Sequence, residues 1–125
     1  MDLAPVFKSI VDQDTASVVI CDPEHKIIYM NPADVASNAD RGGAALIGRS
    51  IMDCHNSNSN QHIVQVVDWF KADKSHNRVF IAHRPDKNRD QYMVALRDDD
   101  GALVGYYEKH EYRTAEAGPL YDLHD

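Results

Sequence analysis

The sequence predicts an α+β domain: a five-stranded antiparallel sheet covered on one face by short helices and one longer helix. Three observations carry this. Two β-branched runs near the N-terminus, ASVVICD (16–22) and KIIYMN (26–31), are joined by the tight turn Asp22-Pro23-Glu24-His25. One segment, 60–72, places Ile63, Val66, Val67 and Phe70 at spacings of three and four, an apolar stripe along a helix. Strand-like runs at 78–84, 90–98 and 102–112 follow, with connections short enough to make neighbours antiparallel. A sheet of this kind has one face to bury, and the helical middle of the chain is the material that can bury it. The space between the sheet and the long helix is then the natural pocket.

Each element has its local reason. Leu3, Val6, Phe7, Ile10 and Val11 give residues 2–13 one apolar helical face, and Asp14-Thr15 ends it. Asn31-Pro32 starts the next helix, 33–40, because Asn caps and Pro suits the first helical position. Arg41-Gly42-Gly43 breaks it, and a short turn-like segment, 44–52, leads on. Ser57 or Ser59 is expected to cap the long helix. Pro85-Asp86-Lys87-Asn88 and Asp99-Asp100-Gly101 make the last two turns. The chain thus divides into an N-terminal amphipathic helix (1–15), a sheet-and-helix domain (16–112) and a C-terminal tail (113–125) with a Gly-Pro break.

Composition narrows the function. A chain of 125 residues with 43% hydrophobic and 26% charged residues suits a single globular domain. The net charge is −7, and the Lys and Arg residues are interspersed with acids, as in KADKSHNR, so nucleic-acid binding is not expected. No apolar run reaches the roughly 18 residues of a membrane span, and the start MDLAPVFKSIVDQD lacks signal-peptide features. A cytoplasmic location follows by default, and Cys21 and Cys54 suit it as free thiols.

The order and spacing of three stretches resemble those of a PAS domain. VVICDPEHKIIYMNPA is similar to the family's opening hairpin and helix start. LIGRSIMDC resembles its Gly-Arg turn before the long helix, and RDDDGALVGYYEKHEY its closing strand pair. The match spans about 16–112. The element Gly48-Arg49, then Asp53-Cys54-His55, also resembles one PAS subgroup of bacterial proteins. The resemblance implies a sensory or interaction module. Its members often hold a small molecule between sheet and helices, often dimerise through the N-terminal helix, and often carry no cofactor.

Candidate site residues follow from the pocket that this fold would have. Ile20, Tyr29, Ile51, His55, Ile63, Val67, Phe80, Met93 and Leu96 are its expected lining. Flavin photochemistry is not expected, because Ile51 stands where the photosensor branch has its cysteine. A haem-binding branch uses a His on or near the long helix, which makes His55, and after it His62, the candidate iron ligand. A zinc site from Cys54, His55 and His62 lacks ligands at usable spacing. Cys54 as a nucleophile would need a base and an oxyanion site that the sequence does not supply. A redox-sensing Cys54 thiol before the long helix stays open. His76 and His83, seven apart, would face opposite sides of one strand.

Two further expectations concern the last strand and the first helix. Alternation places Tyr107 with Leu103 and Gly105, and Tyr106 with Val104 and Glu108, and Gly105 is expected to leave room for a ligand against the sheet. The N-terminal helix is too short to be stable alone, so it is expected to pack on a partner in a homodimer. The sequence therefore reads as a non-enzymatic sensor that binds a small ligand and signals through a dimer or a protein partner. The alternatives are a haem-dependent gas or redox sensor with His55 as axial ligand, a ligand-free interaction module, and a small enzyme using Cys54.

Overall fold

The chain leaves its first helix at Asp12 and enters the sheet at Val19, and a buried asparagine, Asn31, just after the second strand, joins four segments at once. The computed structural model describes residues 1–124; Asp125, the end of the expected tail, lies outside the described residues. Helix α1 (Ala4–Asp12) is followed by the hairpin β1 (Val19–Cys21) and β2 (Ile27–Met30). Helix α2 (Pro32–Ser37) and three short 3-10 turns lead to α3 (Ser57–Ala72). Strands β3 (Arg78–Arg84), β4 (Arg89–Arg97) and β5 (Leu103–Tyr112) complete one five-stranded sheet of order β2-β1-β5-β4-β3. Every pairing is antiparallel. The fold is the α+β architecture that the sequence predicts. Among the described residues, no helix is long and apolar enough to cross a membrane.

Several boundaries differ from the sequence reading, each for a local reason. Strand β1 is only three residues long, because Val18 gives its N–H to the Asn31 side chain at 2.9 Å and is held outside the strand ladder. The first turn closes as Asp22 Oδ1 accepts from Glu24 N and Lys26 N, with His25 at φ +73. Helix α3 starts earlier than expected, because Asn56 and not a serine caps it: Asn56 Oδ1 accepts from Ser59 N at 2.8 Å. At its other end Arg97 of β4 donates through Nη2 to the carbonyls of Phe70, Asp73 and His76 at 2.7–3.2 Å. These are carbonyls at and just beyond the C-terminus of α3, so one guanidinium fastens helix to sheet. His76 precedes β3 and stacks on Trp69, ring centroids 4.2 Å apart, so it shares no strand with His83.

The core lies between α3 and one face of the sheet. Phe70 and Val67 of α3 are 0% and 1% exposed, and they meet Cys21, Met93, Ala95 and Tyr106. The burial pattern of β4 alternates, with Gln91, Met93 and Ala95 buried and their neighbours half-exposed. The register carries that inner face across the sheet: Gln91 pairs with His110, Met93 with Glu108, Ala95 with Tyr106, and Tyr106 with Cys21. Simple alternation fails near the start of β5. An irregularity there pairs Arg97 with Leu103 but Leu96 with Gly105, so Leu103 packs on the core while Val104 is 49% exposed.

Gly105 does not open a ligand space. A Cβ added there would lie 2.6 Å from the carbonyl oxygen of Cys21 on the neighbouring strand β1. The missing side chain serves the close approach of β1 to β5. Gly105→Ala is expected to destabilise the fold by about 1–3 kcal/mol, the usual cost of forcing atoms into packed structure. A denaturant midpoint equal to that of the parent would contradict this role.

Candidate functional site

A cavity of about 280 Å³ lies between the inner face of the sheet and α3. Its floor is apolar: Val19, Cys21 and Met93 come from the sheet, Ile63 and Val66 from α3, and Ile51 from the turn before α3. The bend that delivers the chain into α3 is itself tied down. Ser50 Oγ accepts from Met52 N, and Asn60 Nδ2 donates to Met52 O at 3.0 Å.

Of the nine residues that the sequence selects, the structure brings Ile51, His55, Ile63 and Met93 to this cavity. Val67 lies on the same helix but is sealed in the core beside Phe70. Ile20, Tyr29, Phe80 and Leu96 are corrected to the opposite face of the sheet. Ile20 sits between Val19 and Cys21, which both line the cavity, and it pairs with Tyr29 and Tyr107. Tyr29 gives its hydroxyl to Asp12 of α1, and the Lys8 ammonium lies 5.5 Å from its ring centroid. Phe80 is 57% exposed and packs on Tyr92, centroids 5.5 Å apart. Leu96 is opposite in parity to Met93, so the two cannot share a face of this strand. Of the aromatic residues on the sheet and α3, Tyr106 lines the cavity, while Trp69, Tyr92 and Tyr107 do not.

His55 is held in a defined state. Its Nδ1 lies 3.0 Å from the carbonyl oxygen of Ile51, which can only accept, so Nδ1 carries the proton. In its neutral form the ring then keeps its lone pair on Nε2, as metal-ligating histidines do. Cys54 is half-buried and packs against the core. Cys21 is buried, and loss of hydration pushes its thiol up to about 11. Among the described residues, no group of three or more His, Cys, Asp or Glu side chains is placed to hold a metal ion.

The sequence reading missed the polar end of the cavity. Arg84 Nε donates to Gln91 Oε1 at 3.2 Å, which turns the Gln91 amide nitrogen toward His110 Nε2, also at 3.2 Å. His110 Nε2 therefore accepts, and its proton sits on Nδ1, buried and without a partner among the described residues. Glu108 Oε2 is 3.8 Å from the same His110 nitrogen. Arg84, Gln91 and Glu108 all line the cavity, with His62 and Ser59 opposite on α3. The signal was present in the parity of 91, 93 and 95, but a run such as YEKHEY reads as solvated strand. Next to this end, Asp34 of α2 is 7% exposed. Its carboxyl is raised above the ordinary range by desolvation first; Glu108 pushes it the same way, while His110 and the Asn38 side chain oppose.

A raised carboxyl holds its proton more tightly in the folded chain than in the unfolded one. Its favourable contribution is complete below the ordinary carboxyl range and is lost as pH rises through the raised value. Asp34→Asn is therefore expected to melt higher than the parent at pH 7, with the difference shrinking as pH falls toward about 4. A variant that melts lower than the parent at pH 7 would contradict the burial argument.

Comparison with known proteins adds the following. A PAS domain family model matches residues 8–110. The PAS domain of a protein from Colwellia psychrerythraea superposes with a TM-score of 0.63 at 16% identity, covering 90% of this chain and 98% of that one. A sensory box sensor histidine kinase from Vibrio cholerae gives 0.61 at 13% identity, covering 89% and 92%. The Aer2 receptor from Vibrio cholerae, a dual PAS-heme oxygen sensor, gives 0.51 at 19% identity, covering 78% and 94%. No curated protein sequence matches this chain. At such identities the structural likeness is one of fold. The family match spans most of the chain and takes in the hairpin, the Gly-Arg turn, α3 and the closing strands: the chain belongs to the PAS domain family.

Proposed function

We propose that this chain is a sensory module that binds a small molecule between its sheet and α3 and passes the bound state to another chain. The observation that carries the reading is the cavity itself, an apolar floor with a few polar groups at one end. At about 280 Å³ it sits just below the range that encloses drug-sized ligands, so the ligand class is small. Family membership supports the reading, as does the likeness to a domain from a sensor histidine kinase. The mechanism is non-enzymatic. A ligand that contacts both α3 and β4 favours the arrangement in which they close on it, and that shifts a population without any reaction. Val66→Trp would fill the cavity from α3. Native mass spectrometry of the parent, as purified or after incubation with a metabolite extract, is expected to show a bound species that denaturation releases and that Val66→Trp lacks. A parent mass that stays at the bare-chain value in both preparations would overturn the reading in favour of a ligand-free interaction module.

Haem is the second reading, favoured by the lone pair left on His55 Nε2 and by the Aer2 likeness. His55 would hold the iron, and the iron would supply gas binding or redox chemistry. The fit is poor, because a haem macrocycle needs more room than this cavity has unless α3 moves outward. An absorption spectrum with added haemin decides: an intense blue-edge band that His55→Ala removes would install haem, and a spectrum of free haemin alone would remove it.

The output surface proposed is α1, paired with α1 of a second copy. Val6, Phe7 and Ile10 are 41%, 59% and 66% exposed on a helix of nine residues, which is marginal without a partner. Phe7→Glu with Ile10→Glu is expected to halve the mass measured by light scattering, with the circular dichroism unchanged. A parent chain that already runs as a monomer would contradict the dimer.

A further inference from the structure

The two charged groups at the polar end of the cavity are opposite in sign and differently committed. Arg84 spends only Nε on the fold; among the described residues its two Nη groups have neither a hydrogen bond nor a carboxylate partner. Glu108 is one-third exposed, and among the described residues its one titratable neighbour of basic type at 4 Å or less is His110, whose facing nitrogen already accepts from the Gln91 amide. A guanidinium with free Nη groups matches a carboxylate through two parallel bonds. A carboxylate without a donor matches an ammonium.

The register fixes their relation. Glu108 pairs with Met93, Arg84 pairs with Arg89, and β4 lies between their strands. Strand rise and spacing place the two backbones about 16 Å apart. The bond from Arg84 to Gln91 draws the guanidinium back along the sheet toward Glu108; both side chains line the cavity, and among the described residues no ion pair within 4 Å closes the gap between them. Beside that gap lies the apolar floor of Ile51, Ile63, Val66 and Met93.

We propose that the cavity takes a small zwitterion with an apolar body, an amino-acid-like molecule with its carboxylate on Arg84, its ammonium on Glu108 and its side chain on the floor. Gln91 is a positioning residue: its amide is clamped between Arg84 and His110, so it sets the direction of the guanidinium. The inference rests on the reading of the cavity as a ligand site and adds the ligand class.

The test is titration calorimetry of the full chain with L-valine, L-leucine and L-methionine. Three analogues of leucine run beside them: 4-methylpentanoate without the ammonium, 3-methylbutylamine without the carboxylate, and uncharged 4-methylpentanamide. At least one amino acid is expected to bind about tenfold more tightly than each analogue, a factor of ten corresponding to about 1.4 kcal/mol. Glu108→Gln is expected to erase the advantage over 4-methylpentanoate, and Arg84→Gln the advantage over 3-methylbutylamine, while circular dichroism stays that of the parent. Any analogue binding as tightly as the amino acids would overturn the zwitterion class and leave the ligand site standing. Binding by none of the six would also overturn the class. The ligand-site reading would then stand or fall separately, on the bound species lost in Val66→Trp.

Discussion

One buried side chain holds the N-terminal half of this fold together. Asn31 is 0% exposed and sits where β2 ends and α2 begins. Its Oδ1 accepts from Val18 N and from Asp34 N, which joins β1 to the first turn of α2. Its Nδ2 donates to the carbonyls of Val11 and Ala16, both at 3.0 Å, and reaches Asp14 at 3.4 Å, which ties in the end of α1 and the loop after it. A buried amide offers two donor hydrogens and two acceptor lone pairs, and here all of them are used. An apolar residue of similar size would leave Val18 N, Asp14 O and Ala16 O without this partner, while Asp34 N keeps the backbone carbonyl of residue 31 and Val11 O keeps Asp14 N; each group left unpaired would cost about 1–3 kcal/mol.

The cavity depends on that arrangement. With β1 fixed at one end by Asn31, it approaches β5 closely enough to need Gly105 and presents Val19 and Cys21 to the inner face. Arg97 makes the matching attachment at the other side of the sheet by collecting the carbonyls at the end of α3. The helix is therefore anchored at its C-terminus, while its first turns, with Ser59, His62 and Ile63, border the cavity. The same inner face becomes polar toward Gln91, His110 and Asp34, where burial has been accepted for groups that would otherwise stay in water.

Much of the fold was legible in the residues. Strand and helix order followed from period and turn chemistry, and Asn31-Pro32 announced its helix, because these signals are local. The site was legible only in part, because it depends on which way each strand faces. In VVIC both parities are apolar, so nothing in the sequence separates Val19 and Cys21 from Ile20. Phe80 looked like core, yet it serves an outer aromatic layer with Tyr92 and Arg78. Glu108 and His110 looked like a solvated run, and only the pairing with Met93 and Gln91 turned them inward. Gly105 showed that something approaches the sheet closely, but not that it is the neighbouring strand itself.

The most direct test of this account is the stability of Asn31→Ala, measured by denaturant unfolding and hydrogen exchange together. The account predicts a loss of about 3 kcal/mol or more, on the scale of several unsatisfied buried groups. It also predicts that the amide of Val18, whose acceptor is the Asn31 side chain, loses protection, while that of Asp34 keeps the backbone carbonyl of residue 31. A loss within about 0.5 kcal/mol, as for an ordinary surface substitution, with Val18 still protected, would show that the hairpin and α2 hold their places without this side chain.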